Sequence, residues 1–424
     1  VTKTIWAKTA VASRDRAPLS GSLSADVVVI GAGVSGLSAA YFLADGGASV
    51  VLIEADRIGS GAVGRSSGFV NAGLWVPPTD IVKAIGEVYG PRLISTLGDA
   101  PRRTFELIKS LDLECDARND GTLQCAPDEA SFLDLKERLA GMAGRARDLK
   151  LVERQEAASL TGSSAYRGAL IDYRAGYLQP LSYVRSLAKA AESAGTVIHE
   201  KSPAIHFEQL PGDTWKIWTG RGHVAAKQLL VATEAHMIGA HFGLSGEYVP
   251  MPFFNAATRR LTESEKAAVM PAGQPIVDLR KVVSSYRYDA HDRLVVGSIG
   301  STSGPDGAIN RQWVSRKIAK LFPILRNIEI EFAWTGRIGV TDNHMPTVHR
   351  IGRQAFALGG YNGRGIAAGT VFGEAISKVI LGQMPEGDLP VPVTEPRETR
   401  MPGLRGMGLR SAAAAFHLLD ARRG

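Results

Sequence analysis

Residues 26–54, DVVVIGAGVSGLSAAYFLADGGASVVLIE, decide the fold of this chain. An apolar run at 27–30, rich in β-branched residues, reads as a buried strand and leads directly into Gly31-Ala32-Gly33-Val34-Ser35-Gly36. A helix-like apolar pattern follows, then a second strand at 49–53 that ends on Glu54. The three glycines have separate duties in such a unit. Gly31 permits the tight turn, Gly33 lets backbone approach a pyrophosphate, and Gly36 lets the helix pack closely on the strand. Val34 and Ser35 open the helix, whose first N–H groups and partial positive charge face an anion. Glu54 stands 23 residues after Gly31, where a carboxylate accepts the ribose hydroxyls of a dinucleotide. A lone glycine triplet is weak evidence, but strand, glycines, helix, strand and acid in register are strong.

The same stretch has no charged residue from 27 to 44, close to the length of a membrane span. Three glycines in one turn, Ser35 and Ser38, and β-branched crowding at one end argue against a lipid-facing helix. No basic segment followed by an apolar one precedes it, so the chain is expected to be soluble and cytoplasmic. Its 424 residues suggest two domains. The net charge of +7, from 49 basic and 42 acidic residues, suits an anionic substrate or lipid. No lysine-arginine block points to nucleic acid. Cys115 and Cys125 exclude a disulfide scaffold and have no metal-ligand company, so no metal site is expected.

NAD and FAD both use this glycine signature, and the residues after Glu54 separate them. Ala55-Asp56-Arg57 runs into Gly59-Ser60-Gly61-Ala62-Val63-Gly64-Arg65-Ser66-Ser67-Gly68, where a nicotinamide enzyme would continue with helix and strand. A long glycine-serine loop can wrap a planar ring with backbone N–H groups and little bulk. This resembles the FAD-dependent amine and amino-acid oxidase family, which contains D-amino-acid, glycine and sarcosine oxidases. The match is nearest its branch acting on pipecolate, iminodiacetate-like and γ-glutamylated amines, whose members carry a segment like GxGASGRNGG after the acid. QLLVATEA at 228–235 looks like the strand and turn that close the FAD half of these proteins. ALGGYNGRG at 357–365 is similar to the family's late G-F-S-G-H-G signature. Trp334-Thr335-Gly336 through Asp342 and Pro346 follow its W-x-G…D…P run. The resemblance spans about 22–395.

It implies an α/β protein with a Rossmann-type FAD-binding domain interleaved with an α+β substrate domain built on an antiparallel sheet. The implied boundaries are an N-terminal arm at 1–21, the FAD-binding domain at 22–78, 168–245 and 334–400, and the substrate domain at 79–167 and 246–333. A basic amphipathic tail closes the chain at 401–424. The residues themselves support a changeover. Helical patterns rich in Leu, Glu, Lys and Arg fill 81–160, strand-like alternation fills 246–300, and LSYVRSLAKAAESAGTVIHE at 181–200 reads as helix, turn and strand. The first 25 residues read as a loosely attached arm.

FAD contacts are implied for Gly31, Gly33, Val34, Ser35, Gly36 and Glu54 in the first unit. The loop adds Ala55, Arg57, Gly61, Ala62, Arg65, Ser66, Ser67 and Gly68. Ala204 and Gly336 follow, and the late turn adds Gly360, Tyr361, Asn362, Gly363, Arg364, Gly365 and Ile366. The implied reaction is oxidation of a primary or secondary amine to an imine by hydride transfer to flavin N5, followed by hydrolysis. A carboxylated amine, such as an N-substituted glycine, iminodiacetate or pipecolate, is the expected substrate.

That chemistry asks for aromatic walls and a cation for the carboxylate. Tyr286, Trp334, Arg364 and Arg260 are the candidates, with Tyr288, Arg259, Arg280 and Arg287 on the same sheet. Each aromatic has sheet core as its alternative, and each arginine a solvated strand edge. Departures from the family matter equally. Sarcosine-type members attach FAD through a cysteine near the aromatic aligned with Trp334, whereas this chain reads Glu331-Phe332-Ala333-Trp334, so FAD is expected to be non-covalent. Their carboxylate-holding lysine is Ala367 here and their oxygen-activating lysine is Val295, leaving O2 or a quinone or electron-transfer partner as acceptor. The tail pairs an apolar stripe with Arg405, Arg410, Arg422 and Arg423, and is expected to dock on its own protein or contact the inner membrane face peripherally. A NAD-dependent dehydrogenase and a flavoprotein subunit with a non-amine role stay open as alternatives.

Overall fold

The computed structural model describes residues 4–142, 147–236, 242–244, 246–304 and 306–396. The 401–424 tail lies outside them. Among the described residues two large sheets organise the chain. The first is nucleated by the motif that opens the sequence. The strand Gly21–Ile30 pairs in parallel with Val50–Ile53 on one side and with Gly222–Val231 on the other. Val197–His199 extends this parallel core beyond Val50–Ile53, and Ala355–Gly359 extends it beyond Gly222–Val231. Val27, Val28 and Val29 are almost fully buried, as a strand covered on both faces requires. Helices Val34–Asp45, Pro180–Ser193 and Gly365–Ile380 share one hydrophobic core on this sheet. Ser38 donates to the Thr370 carbonyl at 2.7 Å and locks the first of these helices to the last.

The second sheet runs in the order Ile330–Val340, Val249–Arg260, Arg293–Ile299, Ser284–Tyr288, Ile276–Asp278, Thr122–Ala126, Gly168–Asp172, Leu149–Glu153. All neighbours are antiparallel except Ile276–Asp278 with Thr122–Ala126. Its far face packs on the helix Gly307–Leu321 through Trp313, Val314 and Ile318. The architecture is the expected α/β fold of a Rossmann-type unit interleaved with an antiparallel sheet.

Several local expectations change. Gly168–Asp172 and Ile330–Val340 pair within the second sheet, whereas boundaries at 168 and 334 would assign them wholly or partly to the first unit. Pairing partners far away in sequence set sheet membership, and local periodicity does not report them. The 81–160 stretch holds the helices Pro78–Ser110, Glu129–Ala140 and Arg154–Thr161, but also the strands Thr122–Ala126 and Leu149–Glu153. The N-terminal segment is not loosely attached. Ile5, Trp6 and Leu19 are buried, Val11 N–H donates to Ser182 Oγ at 3.1 Å, and Arg16 pairs with Glu192 at 2.7 Å. No helix among the described residues is long and apolar enough to cross a membrane.

Candidate functional site

The glycine turn is enforced by close backbone approach. Gly31 has φ +101°, and a Cβ at Gly36 would lie 1.9 Å from the Gly31 carbonyl oxygen, so helix and strand meet without a side chain between them. Gly33 differs: a Cβ there would find only the Ala232 oxygen, at 3.9 Å. Its free side faces a cavity of about 310 Å³ that runs along the ends of the first sheet's parallel strands. Gly33 also caps the helix without a side-chain hydrogen bond, which keeps the helix N-terminus open to the cavity.

Glu54 projects into the same cavity. It accepts hydrogen bonds from the backbone N–H of Ala32 at 2.8 Å and of Asp56 at 3.0 Å. Burial raises its pKa, and these two donors oppose the rise. A half-buried carboxylate beside an open cavity is completed by hydroxyl donors such as those of a ribose. Glu54→Gln should weaken FAD binding roughly tenfold to hundredfold, the loss of a charge-assisted contact worth ~1.5–3 kcal/mol. Equilibrium dialysis of apoprotein against FAD measures this, and unchanged affinity would mean that the carboxylate makes no cofactor contact.

The second sheet holds the 59–68 loop in place from below. Asn255 Nδ2 and Trp334 Nε1 both donate to the Arg65 carbonyl, at 2.9 and 2.8 Å. Trp6 Nε1 donates to the Ser66 carbonyl at 2.8 Å. Arg287 donates to the carbonyls of Ser67 and Leu178, with its guanidinium 4.5 Å from the Trp6 ring centre and 4.9 Å from that of Tyr177. Burial lowers the Arg287 pKa to about 10. From above, Ile58 N–H donates to Glu200 at 2.8 Å and Arg65 Nε to the Ser60 carbonyl at 2.9 Å. Side chains from around the loop, together with its own Arg65, thus brace it.

The late glycine segment closes the other wall. Glu234 is held at φ +45° and accepts from Gly360 N–H at 3.1 Å and Tyr361 N–H at 3.2 Å. Burial raises its pKa, while backbone N–H groups of Tyr361, Gly339 and Gly360 pull it back. Tyr361 and Ser35 share a hydroxyl hydrogen bond of 2.8 Å, joining this turn to the first helix. Gly365 starts the helix Gly365–Ile380, whose N-terminus opens onto the cavity. His236 also lines it, its pKa lowered to about 4 by burial and by the nearby Arg337 and Arg65, so the ring is neutral near pH 7.

One cavity wall gathers many of the sequence candidates. Gly31, Gly33, Val34, Ser35, Glu54 and Ala55 line it. Gly61, Ala62, Ser66, Ser67, Gly68 and Ala204 line it as well, as do Tyr361, Gly363, Gly365 and Ile366. Gly36 lies in the helix Val34–Asp45 and Gly360 and Asn362 in the late turn, and Gly336 is crowded by the Phe253 ring, which a Cβ would meet at 2.2 Å. Arg65 serves as a brace of the loop. An extended pocket bounded by two helix N-termini, a half-buried acid and a glycine-serine loop fits a dinucleotide bearing a planar ring.

Other candidates are placed elsewhere. Arg57 is half-exposed beside Asp15 at 3.5 Å. Tyr286 is fully buried on the far face of its strand, edge-on to Phe322 at 6.2 Å, because alternation along Ser284–Tyr288 turns Ser285 and Arg287 toward the loop and both tyrosines away. Trp334 faces the loop but is closed under it, edge-on to Trp6 at 5.7 Å. Arg260 is exposed at the end of Val249–Arg260, five residues and ~16 Å beyond Asn255. Arg259 pairs with Glu265 at 2.7 Å and Arg280 with Asp278 at 3.1 Å, so the four sheet arginines form no cluster. Arg364 turns its side chain away from the main cavity, donates to the Ala72 carbonyl at 2.6 Å and stacks on Trp75 at 4.1 Å. Val295 and Ala367 are buried in the core, 1% exposed each.

Trp6, Asn255, His236 and Ile338 escaped the sequence reading. Their partners lie far off in the chain, and an isolated tryptophan in an N-terminal segment carries no local pattern.

Comparison with known proteins agrees with this geometry. The family model described as FAD dependent oxidoreductase matches residues 26–379. The probable oxidoreductase OrdL of Haemophilus influenzae is 30% identical over 371 residues, covering 86% of this chain and 85% of the relative. Gamma-glutamylputrescine oxidoreductase of Escherichia coli is 28% identical over 371 residues with the same coverage, 86% and 85%. Among solved structures, glycine oxidase from Geobacillus kaustophilus superposes with a TM-score of 0.70 at 19% identity, covering 85% of this chain and 96% of that one.

Proposed function

The chain belongs to the family of FAD-dependent oxidoreductases, and from that premise we propose that it oxidises a primary or secondary amine to an imine that water then hydrolyses. Bound FAD supplies the two-electron acceptor for the C–H bond next to nitrogen. The nicotinamide-dependent alternative falls with the family assignment.

The observation that carries the reading is the build of the main cavity: a half-buried acid in its lining, together with a loop and a helix N-terminus presenting backbone N–H groups. In this reading Glu54 takes the ribose hydroxyls and the N-terminus of Val34–Asp45 the pyrophosphate. The 66–68 backbone and the 363–366 turn hold the ring. The helix dipole at Gly365 then favours negative charge gathering on the ring's nearby edge. Phe69 and Ile338 supply apolar surface that excludes water from the reacting carbon. Relatives named for γ-glutamylputrescine and for glycine support an amine, and a carboxylated one is our choice of class.

A substrate panel tests this. Sarcosine, iminodiacetate, pipecolate and γ-glutamyl amines are mixed anaerobically with holoenzyme, and at least one should bleach the flavin absorbance. If none does, amine oxidation is the wrong reaction. We also propose that FAD is held without a covalent bond, since Ala333 and its neighbours offer no thiol to it and Cys115 and Cys125 are buried away from the cavity. Acid precipitation should therefore leave the yellow colour in the supernatant, and colour in the pellet would show an attachment. For the acceptor, Val295 supports a quinone or electron-transfer partner over O2. Reoxidation of the reduced enzyme should be faster with a soluble quinone than in air, and the reverse order would restore an oxidase.

A further inference from the structure

A second, smaller cavity of about 60 Å³ lies behind the late turn. Gly363 and Gly365 face the main cavity, while Arg364 between them faces this one. Trp75 holds the turn, donating from Nε1 to the Asn362 carbonyl at 3.0 Å and stacking under the Arg364 guanidinium. Apolar residues from the 72–76 segment and the helix Pro78–Ser110 form most of the lining. Arg138, Arg174, Arg364 and Asp172 form its charged side.

These charges do not balance. Asp172 is fully engaged by Arg174, with Nε–Oδ1 at 2.8 Å and Nη2–Oδ2 at 2.7 Å. Arg138 donates one N–H to the Trp75 carbonyl at 3.1 Å, and its nearest acid, Asp134, is exposed one helical turn back. Arg364 is 8% exposed, and its buried Nε has no hydrogen-bond partner. Three guanidinium groups against one carboxylate leave an excess of two positive charges around a partly open space. Burial and the neighbouring Arg138 lower the Arg364 pKa to about 9, a sign of the cost of that crowding. Guanidinium does not shed its proton near neutral pH, and an anion beside the buried Arg364 would offset the charge. The space is several times the ~10–15 Å³ that one water needs, enough for one carboxylate head. Arginine forks match that head through paired N–H···O contacts.

We propose that this cavity is a carboxylate-binding subsite formed by Arg364 and Arg138, adjoining the FAD cavity at the 361–365 turn. The carboxylate comes from the acid end of the amine substrate, which rests on the functional reading above, or from a free carboxylate anion. Either occupant would brace the turn that holds the ring.

Sodium acetate is the probe, with sodium chloride at equal ionic strength as reference. Acetate should raise the holoenzyme's melting temperature saturably beyond chloride. Arg138→Gln, at a half-exposed position outside the main cavity, should weaken that protection at least tenfold with the flavin spectrum unchanged. Arg364→Lys provides a second variant that keeps a positive charge but loses the fork, and it should weaken protection too. If the cavity takes the substrate's acid end, R138Q also raises KM for the best carboxylated amine about tenfold, leaves kcat unchanged, and acetate competes with that substrate. If the anion is free, acetate protection falls in R138Q while KM stays the same. Acetate protection that is lost in R138Q, in a protein whose flavin no amine bleaches, would retain the subsite and discard the amine reading. Acetate acting no differently from chloride on the wild type, or equally on wild type and R138Q, overturns the subsite.

Discussion

Gly36→Ala should cost about 3 kcal/mol of stability or more and leave a protein that does not retain FAD, whereas Gly33→Ala should fold normally and still lose FAD. The two glycines stand three residues apart in one motif, and their surroundings differ completely. An alanine Cβ at Gly36 would sit 1.9 Å from a backbone oxygen of Gly31, which has no rotamer with which to retreat. Overpacking of a core typically costs ~1–3 kcal/mol and more where backbone must move. The helix would be pushed off the strand, and its N-terminus would lose its aim. At Gly33 the backbone is extended and the methyl would meet only the Ala232 oxygen at 3.9 Å, so the apoprotein tolerates it. The methyl would then occupy the space that a pyrophosphate needs. Urea unfolding of the apoproteins and FAD titration together separate the two effects. If Gly33→Ala binds FAD as tightly as wild type, the cavity beside Gly33 is not the phosphate site.

Trp6→Ala should cost ~3–5 kcal/mol, the range for deleting a buried aromatic side chain. Trp6 is 0% exposed, packs edge-on to Trp334, lies against the Arg287 guanidinium and donates to the Ser66 carbonyl. Its loss would leave a cavity, a buried cation without its aromatic neighbour and a loop carbonyl without its donor. FAD affinity should fall together with stability, because Ser66 and Ser67 line the main cavity. Trp6→Phe keeps most of the packing but not the N–H, and should recover most of the stability while leaving the loop slack. A melting temperature within a degree or two of wild type for Trp6→Ala would show that the segment contributes nothing to the fold.

The sequence legibility of this protein divides along the range of its interactions. The glycine turn, Glu54 and the late 360–366 segment were readable because each is a local backbone requirement written into consecutive residues. The first helix was readable for the same reason. The candidates on the second sheet were not. Tyr286 and Arg287 are adjacent, and their roles depend on which face of the strand looks inward, a choice fixed by pairing with Arg293–Ile299 and Ile276–Asp278 rather than by the pentapeptide itself. Alternation gave the strand but not its inward face. Arg364 was recognised as unusual in the late motif, yet its direction depends on Trp75 and Ala72, nearly three hundred residues earlier. Arg260 looked like part of a basic cluster because it follows Arg259, but adjacent residues on a strand point to opposite sides.

The position of Trp6 bears on when the protein can be completed during synthesis. The indole leaves the ribosome roughly three hundred residues ahead of the two side chains that enclose it, Arg287 and Trp334. Contacts of such sequence separation form slowly, because a long loop must close before they stabilise anything. A nascent chain can therefore build the opening strand, glycine turn and helix early, while the loop over the main cavity stays unbraced until the second sheet has emerged. Cofactor capture is then a late event, and a bulky insertion directly ahead of Ile5 would interfere with the last fastening step rather than the first.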